Sequence, residues 1–263
     1  MSSVPLSEEV VTARLRAAGC VFAEEEAQML LAEAGTPADL VAMLASRESG
    51  APLEVVLGWA EFCGLRILVD SGVFVPRRRT ALLVQEAIAL ITPHDVVVDI
   101  CCGSGAIGAV LLKRQPRIDL RAVDNHAAAV RCARRNCGPD GQVLLGDLYE
   151  PLPVTLRGRV NLITANAPYV PTDSISTMPP EARLYEPMVA LDGGPDGLDM
   201  QRRIAGGAPE WLAPGGSLII ETSRQQAPRT ADLVRASGMQ ARVVRSTELD
   251  ATVVIGAMST FAR

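Results

Sequence analysis

Aromatic side chains are scarce, at 3% of 263 residues. A core must therefore be assembled from Ala, Val, Leu and Ile, and an apolar fraction of 48% supplies enough of them. Basic charge is also thin. The formal net charge is −5 and the pI is about 5.2, which disfavours a general nucleic-acid binder, because phosphate contacts need clustered Lys and Arg. The basic clusters are small: Arg77-Arg78-Arg79 in a loop, and Arg131 with Arg134-Arg135 on a helix face. The loop cluster suits a phosphate, an acidic partner or plain solvation. Cys20, Cys63, Cys101, Cys102, Cys132 and Cys137 form no C-x-x-C pair, and His94 and His126 are not spaced with them as zinc ligands. A metal site is not expected. No apolar run reaches the length of a membrane span, and no charged n-region precedes an apolar h-region. The default expectation is a reduced, cytoplasmic protein without a membrane partner.

What is present divides the chain. Residues 1–57 read as a small helical bundle. Its first helix starts near Ser7 and stops at Gly19, and its second is acidic at Glu24-Glu25-Glu26 and stops at Gly35. Its third has Thr36 as N-cap with Pro37 in the first turn and ends near Gly50. Residues 58–79 form a linker in which Leu65–Val69 and Val73–Val75, with Asp70-Ser71-Gly72 between them, predict a β-hairpin. From residue 80 to 263 helix and strand alternate. Short apolar strands are expected near Val96–Ile100, Leu120–Val123, Val143–Leu145, Leu162–Ala165 and Ser217–Glu221. Two final strands, near Ala241–Arg245 and Thr252–Ala257, are too close for a crossover helix and should pair antiparallel. The pattern is α/β, a doubly wound Rossmann-like sheet of seven strands with a hairpin edge.

The chemistry sits at strand ends. Asp99-Ile100-Cys101-Cys102-Gly103-Ser104-Gly105 turns a buried strand into a helix, where glycines let backbone approach a ligand and the helix start offers free N–H groups. Asp124 ends the next strand, placed to accept ribose hydroxyls, and Asp147, followed by Leu148, ends the third. Three acids at successive strand ends favour a nucleoside-cofactor site. The fourth strand ends in Asn166-Ala167-Pro168-Tyr169. A side-chain carbonyl beside a backbone carbonyl can accept both hydrogens of a planar nitrogen, and an aromatic ring can stack on the planar group.

That last motif resembles the Asn-Pro-Pro-Tyr motif of methyltransferases acting on planar nitrogen. The wider chain resembles the HemK/PrmC family of release-factor glutamine methyltransferases. The resemblance rests on residues 52–58, Glu61-Phe62-Cys63-Gly64-Leu65 and Gly72-Val73-Phe74-Val75-Pro76-Arg77. It also rests on Glu186-Pro187, Ala190-Leu191-Asp192-Gly193-Gly194, Asp196-Gly197-Leu198, Arg202, and Glu221 with Gln225-Gln226. It implies a class I methyltransferase sheet and S-adenosylmethionine (AdoMet) as cofactor. The implied cofactor-binding residues are Asp99, Cys101, Cys102, Gly103, Ser104, Gly105, Asp124, Asp147, Leu148 and Asn166. The implied catalytic residues are Asn166, Ala167, Pro168 and Tyr169. The implied partner is a protein, the glutamine of a Gly-Gly-Gln loop in a peptide-chain release factor, docked with help from the helical domain.

Four departures mark a divergent paralogue. Ala167 replaces the family's first Pro, and Cys101 stands where the loop has Gly. Arg78-Arg79-Thr80-Ala81 replaces Pro and an acidic pair, and Val253 takes the place of an Arg. Two rivals remain: a nucleic-acid base methyltransferase acting on exocyclic amines, and a non-catalytic AdoMet-binding paralogue that docks a translation factor.

Overall fold

The computed structural model describes residues 6–260. Helices α1 (Glu8–Ala17), α2 (Ala23–Glu33), α3 (Pro37–Glu48) and the short α4 (Leu53–Leu57) make the N-terminal bundle. Ser7 and Thr36 cap α1 and α3 by accepting the backbone N–H of Val10 and Asp39. Val11, Leu15, Leu30 and Leu44 close its core. The expected glycine stop of α2 is corrected: α2 ends at Glu33, Ala34 follows in an extended conformation, and Gly35 lacks the positive φ of Gly19 and Gly50.

The hairpin is also corrected. It pairs β1 (Trp59–Phe62) with β2 (Leu65–Leu68), not β2 with residues 73–75. The turn is Cys63-Gly64, with φ of 52° and 80°, the two positive values of a type I′ hairpin. Residues 73–75 run instead towards the site. Asn136 fastens the hairpin by accepting the Leu68 N–H (2.8 Å) and donating to the carbonyls of Leu68 (2.9 Å) and Ser104 (2.8 Å).

Beyond it follow α5 (Ala81–Leu90), β3 (Val96–Ile100), α6 (Ala106–Arg114), β4 (Asp119–Asp124), α7 (Ala127–Cys137) and β5 (Gly141–Leu145). Then come β6 (Val160–Ala165), α8 (Pro180–Tyr185), α9 (Asp199–Trp211), β7 (Leu212–Glu221), α10 (Ala227–Ala236), β8 (Gln240–Ser246) and β9 (Ala251–Ala257). The sheet order is β5-β4-β3-β6-β7-β9-β8, with β9 antiparallel to both neighbours. The parallel strands are sandwiched. Leu83, Leu111 and Leu120 belong to the core under α5, α6 and α7; Ile100, Ile163, Ile204 and Trp211 belong to the core under α9 and α10. The winding reverses between β3 and β6, so the carboxyl ends of those strands border a crevice. Among the described residues no helix is long and apolar enough to cross a membrane.

Candidate active site

A cavity of about 510 Å³ occupies that crevice. The β3–α6 loop supplies its floor. Cys101 there adopts φ 57°, a left-handed conformation that an L residue tolerates at a cost, so the turn is kept although Gly is replaced. Burial pushes the Cys101 thiol up, with Asp124 and Asp99 adding to the effect, so it is an uncharged packing group. Gly103, φ 56°, and Ser104 also line the cavity.

Asp124 lines the wall. Its Oδ2 accepts the Gly103 N–H (2.9 Å) and its Oδ1 the His126 N–H (2.8 Å). Each oxygen keeps a second acceptor position, so the carboxylate is oriented yet still able to take two hydroxyls. Burial raises its pKa, and the two N–H groups act against that rise. Asp147 and Leu148 form the next part of the wall, and Asp147 is paired with Arg203 of α9 at 2.6 Å. His126 also faces the cavity, with a buried, unpartnered Nδ1.

Two expected cofactor ligands do not face the cavity. Asp99 is 0% exposed and absent from its lining; Oδ1 accepts the Thr164 hydroxyl (2.8 Å) and Oδ2 has no hydrogen-bond partner. It lies one residue before the strand end, while Asp124 is the last residue of its strand. Gly105 also lies behind the wall. A Cβ there would come within 2.9 Å of Ala133, so Gly105 serves the packing of α6 on α7.

Asn166, Ala167, Pro168 and Tyr169 all line the same cavity. Asn166 Nδ2 donates to Thr80 Oγ1 (3.2 Å), which leaves its carbonyl oxygen for the cavity. Burial, with Glu221 adding to it, pushes the Tyr169 phenol up to about 12, so it is a neutral ring with a donor hydroxyl. The loop is braced from behind: Gln226 Nε2 donates to the Tyr169 carbonyl (2.9 Å), and Val170 exchanges backbone bonds with Leu191 and Gly193.

The roof was not read from sequence. Phe74, Arg77 and Thr80 come from the segment before α5; Met178 and residues 186–192 come from the segment around α8. The arginine cluster is largely spent internally. Arg77 pairs with Glu186 at 2.7 Å and Arg79 with Glu221 at 3.3 Å. The available signal was the repeated match of Glu186 and Glu221 to the resembled family, with no partner assigned to either.

The cavity therefore joins an oriented carboxylate at one strand end to the Asn166–Tyr169 turn at another. The chain is similar to known proteins. Residues 64–179 match the family described as Methyltransferase small domain. The chain is 41% identical over 202 residues to the release factor glutamine methyltransferase of Geobacter sulfurreducens, covering 76% of this chain and 69% of that one. It is 36% identical over 260 residues to the enzyme of the same name from Cereibacter sphaeroides, covering 90% and 91%. Its fold is similar to a methyltransferase from Pyrococcus furiosus, with TM-score 0.56 and 14% identity over 84% of this chain and 97% of that one. A ribosomal protein L11 methylase from Lactobacillus delbrueckii subsp. bulgaricus has TM-score 0.53 and 16% identity, covering 73% and 85%. The fold and site define a class I methyltransferase that uses AdoMet. The chain belongs to the release factor glutamine methyltransferase family.

Proposed function

We propose that this chain methylates the side-chain amide nitrogen of a glutamine in a peptide-chain release factor, in the cytoplasm. Residues 80–263 carry the chemistry, residues 58–79 link, and residues 1–57 help dock the protein substrate. The observation that carries the reading is the Asn166–Tyr169 turn in one cavity with Asp124, its asparagine amide tied back by Thr80.

When bound, AdoMet supplies an electrophilic sulfonium methyl. Asp124 fits the ribose because its carboxylate is oriented by two backbone donors and retains free acceptor positions. An amide nitrogen is a weak nucleophile, since its lone pair is delocalised. Asn166 Oδ1 and the Ala167 carbonyl would accept its two hydrogens, raise electron density on nitrogen and aim it. Tyr169 packs on the planar group. Asp124 would hold the cofactor's ribose, and Asn166 and the Ala167 carbonyl would aim the acceptor nitrogen at the methyl group that the bound cofactor supplies. Rate arises from positioning and preorganised acceptors. A nucleobase acceptor is disfavoured by the acidic balance and by Arg77 and Arg79 at the cavity, which pair with internal carboxylates.

The test is incubation with a purified bacterial release factor and methyl-labelled AdoMet, with mass spectrometry to place the label. Label on a glutamine is expected. Asn166→Ala should lower turnover by about 10²–10³ while cofactor affinity holds. Asp124→Ala should cost at least about tenfold in affinity for S-adenosylhomocysteine, since charge-assisted hydrogen bonds contribute roughly 1.5–3 kcal/mol each. Full turnover in Asn166→Ala would overturn the anchor, and no label on the release factor would overturn the substrate.

A further inference from the structure

A side chain that enters a pocket leaves its own backbone outside. The cavity, at about 510 Å³, is of the size that one drug-sized ligand fills. AdoMet and a single glutamine side chain account for that space. The chain that carries the glutamine must therefore run across the mouth, and the residues flanking the glutamine must rest on whatever forms the rim.

The rim consists of residues that line the cavity and are also exposed to solvent. Among the described residues these are Arg79, Asn125, Met188 and Val189. Asn125 follows Asp124, at the end proposed to hold the ribose. Arg79 is engaged with Glu221 at 3.3 Å, and its guanidinium carbon lies 5.9 Å from the centre of the Tyr169 ring. Met188 and Val189 differ from both. They are apolar, adjacent in sequence, and 56% and 48% exposed. One exposed apolar side chain is ordinary on a surface; two in succession at the lip of a cavity mark a contact.

The backbone beneath them is fixed. The Pro187 carbonyl accepts the Ala190 N–H at 2.8 Å, and the Met188 carbonyl accepts those of Leu191 and Asp192, both at 3.0 Å. Leu191 is buried, and Glu186 is held by Arg77 at 2.7 Å. This segment is also in register with the Asn166–Tyr169 turn. Val170 N–H donates to the Leu191 carbonyl at 3.1 Å, and Gly193 N–H donates to the Val170 carbonyl at 2.8 Å. Two apolar side chains are thus held at the mouth by a backbone tied to the residue after Tyr169.

We propose that Met188 and Val189 form a lip that seats the main chain of the protein substrate on either side of the target glutamine. The contact is apolar, and the unbranched thioether of Met188 lets the surface follow the chain laid across it. The occupant is the segment around the glutamine and not the distant body of the substrate. This inference rests on the reading of the cavity as the glutamine site.

The test measures single-turnover methyl transfer at varied substrate concentration, with a purified release factor and with a short peptide spanning its glutamine. S-adenosylhomocysteine affinity is measured by calorimetry. Met188→Ser combined with Val189→Ser should raise the half-saturating concentration of the release factor about tenfold. The saturated transfer rate should stay within about threefold and S-adenosylhomocysteine affinity within about twofold. On the peptide the second-order rate constant should fall by a similar factor. Met188→Leu with Val189→Ile keeps the apolar surface and should restore most of the loss. Met188→Gln with Val189→Thr, closer to the original volumes, is read in the same way if the serine pair does not fold. Unchanged half-saturation by the release factor overturns the lip. A loss on the release factor without one on the peptide overturns the assigned occupant, and an equal loss of S-adenosylhomocysteine affinity overturns a role in substrate seating. Absence of label on any glutamine with the wild-type protein overturns the underlying reading, a separate outcome.

Discussion

Asp99 and Asp124 show how far a single residue is legible. Both are acids at the carboxyl end of a buried strand, and sequence reading assigned both to the cofactor. Side chains alternate between faces along a strand, and here the two acids differ in distance from the strand end. Asp124 reaches the cavity; Asp99 is sealed beneath it with Oδ2 unpartnered. Burial pushes the Asp99 carboxyl up to about 7, only partly offset by the Thr164 hydroxyl. The consequence is a pH dependence of stability. With its folded pKa above the ordinary carboxylate value, Asp99 is bound to a proton more tightly in the folded state. Its favourable contribution is complete below about pH 4 and is lost as pH rises through about 7. Asp99→Asn mimics the protonated form and should flatten that dependence. The measurement is the urea midpoint at pH 5 and at pH 8. Wild type should lose more stability than Asp99→Asn between them, and equal losses would refute the assignment. Ala167 and Cys101 are different in kind. Their departure from the resembled family was visible in sequence, and Cys101 keeps the left-handed backbone that a glycine would adopt freely.

Elements were most legible where the hydrophobic pattern was long. The five parallel strands and the antiparallel edge pair fall where short apolar runs predicted them, with ends shifted by a few residues. The β1–β2 hairpin was misplaced because Asp70-Ser71-Gly72 has ordinary turn chemistry, whereas Cys63 is an unusual occupant of a left-handed turn position. Asp70-Ser71-Gly72 does turn, since Val73 N–H reaches the Asp70 carbonyl at 3.1 Å, but no strand follows. The glycines after α8 were legible as a motif and not as a device. Gly193 and Gly197 lie against Tyr169 of the Asn166–Tyr169 turn, and their roles depend on a contact between segments far apart in sequence. Gly197 has φ 72°, and a Cβ there would fall 2.4 Å from the Tyr169 carbonyl oxygen and 2.4 Å from Gln226 Nε2. Gly197→Ala must therefore displace the brace behind the turn or the turn itself. Transfer should fall by about tenfold or more, since small misplacements of reacting groups are costly, while S-adenosylhomocysteine affinity changes little. A parallel loss of both, measured by single turnover and calorimetry, would mean that Gly197 supports the whole domain and not the acceptor end.

At the scale of the molecule, the helical bundle and the cavity roof are physically joined. Arg47 of α3 is held by Glu26 of α2 at 2.6 Å and reaches Glu181 of α8 at 2.8 Å. Tyr185, at the end of α8, donates its hydroxyl to the Ser49 carbonyl at 3.0 Å. The chain on both sides of α8 lines the cavity, through Met178 before it and Glu186 to Asp192 after it. A protein docked on the bundle would thus be felt at the acceptor end through α8. Deleting the bundle would remove the proposed docking surface and this connection together, so it cannot separate them. Arg47→Ala is little better, because breaking a largely buried pair costs about 3–5 kcal/mol and would loosen the bundle itself. Changes on the α8 side are cleaner. Glu181 is half exposed, and Tyr185→Phe keeps the ring, so Glu181→Ala with Tyr185→Phe cuts the connection and leaves Arg47 paired with Glu26. Cofactor affinity should stay within about twofold, because the part of the cavity proposed to hold the cofactor is formed by the β3, β4 and β5 loops. Transfer to an intact release factor should fall several-fold, about 1 kcal/mol for two partly exposed contacts. Transfer to a short glutamine peptide, which does not engage the bundle, should change less. Equal loss on protein and peptide would place the effect in the roof alone, and wild-type kinetics on both would show that docking and the acceptor end are energetically independent.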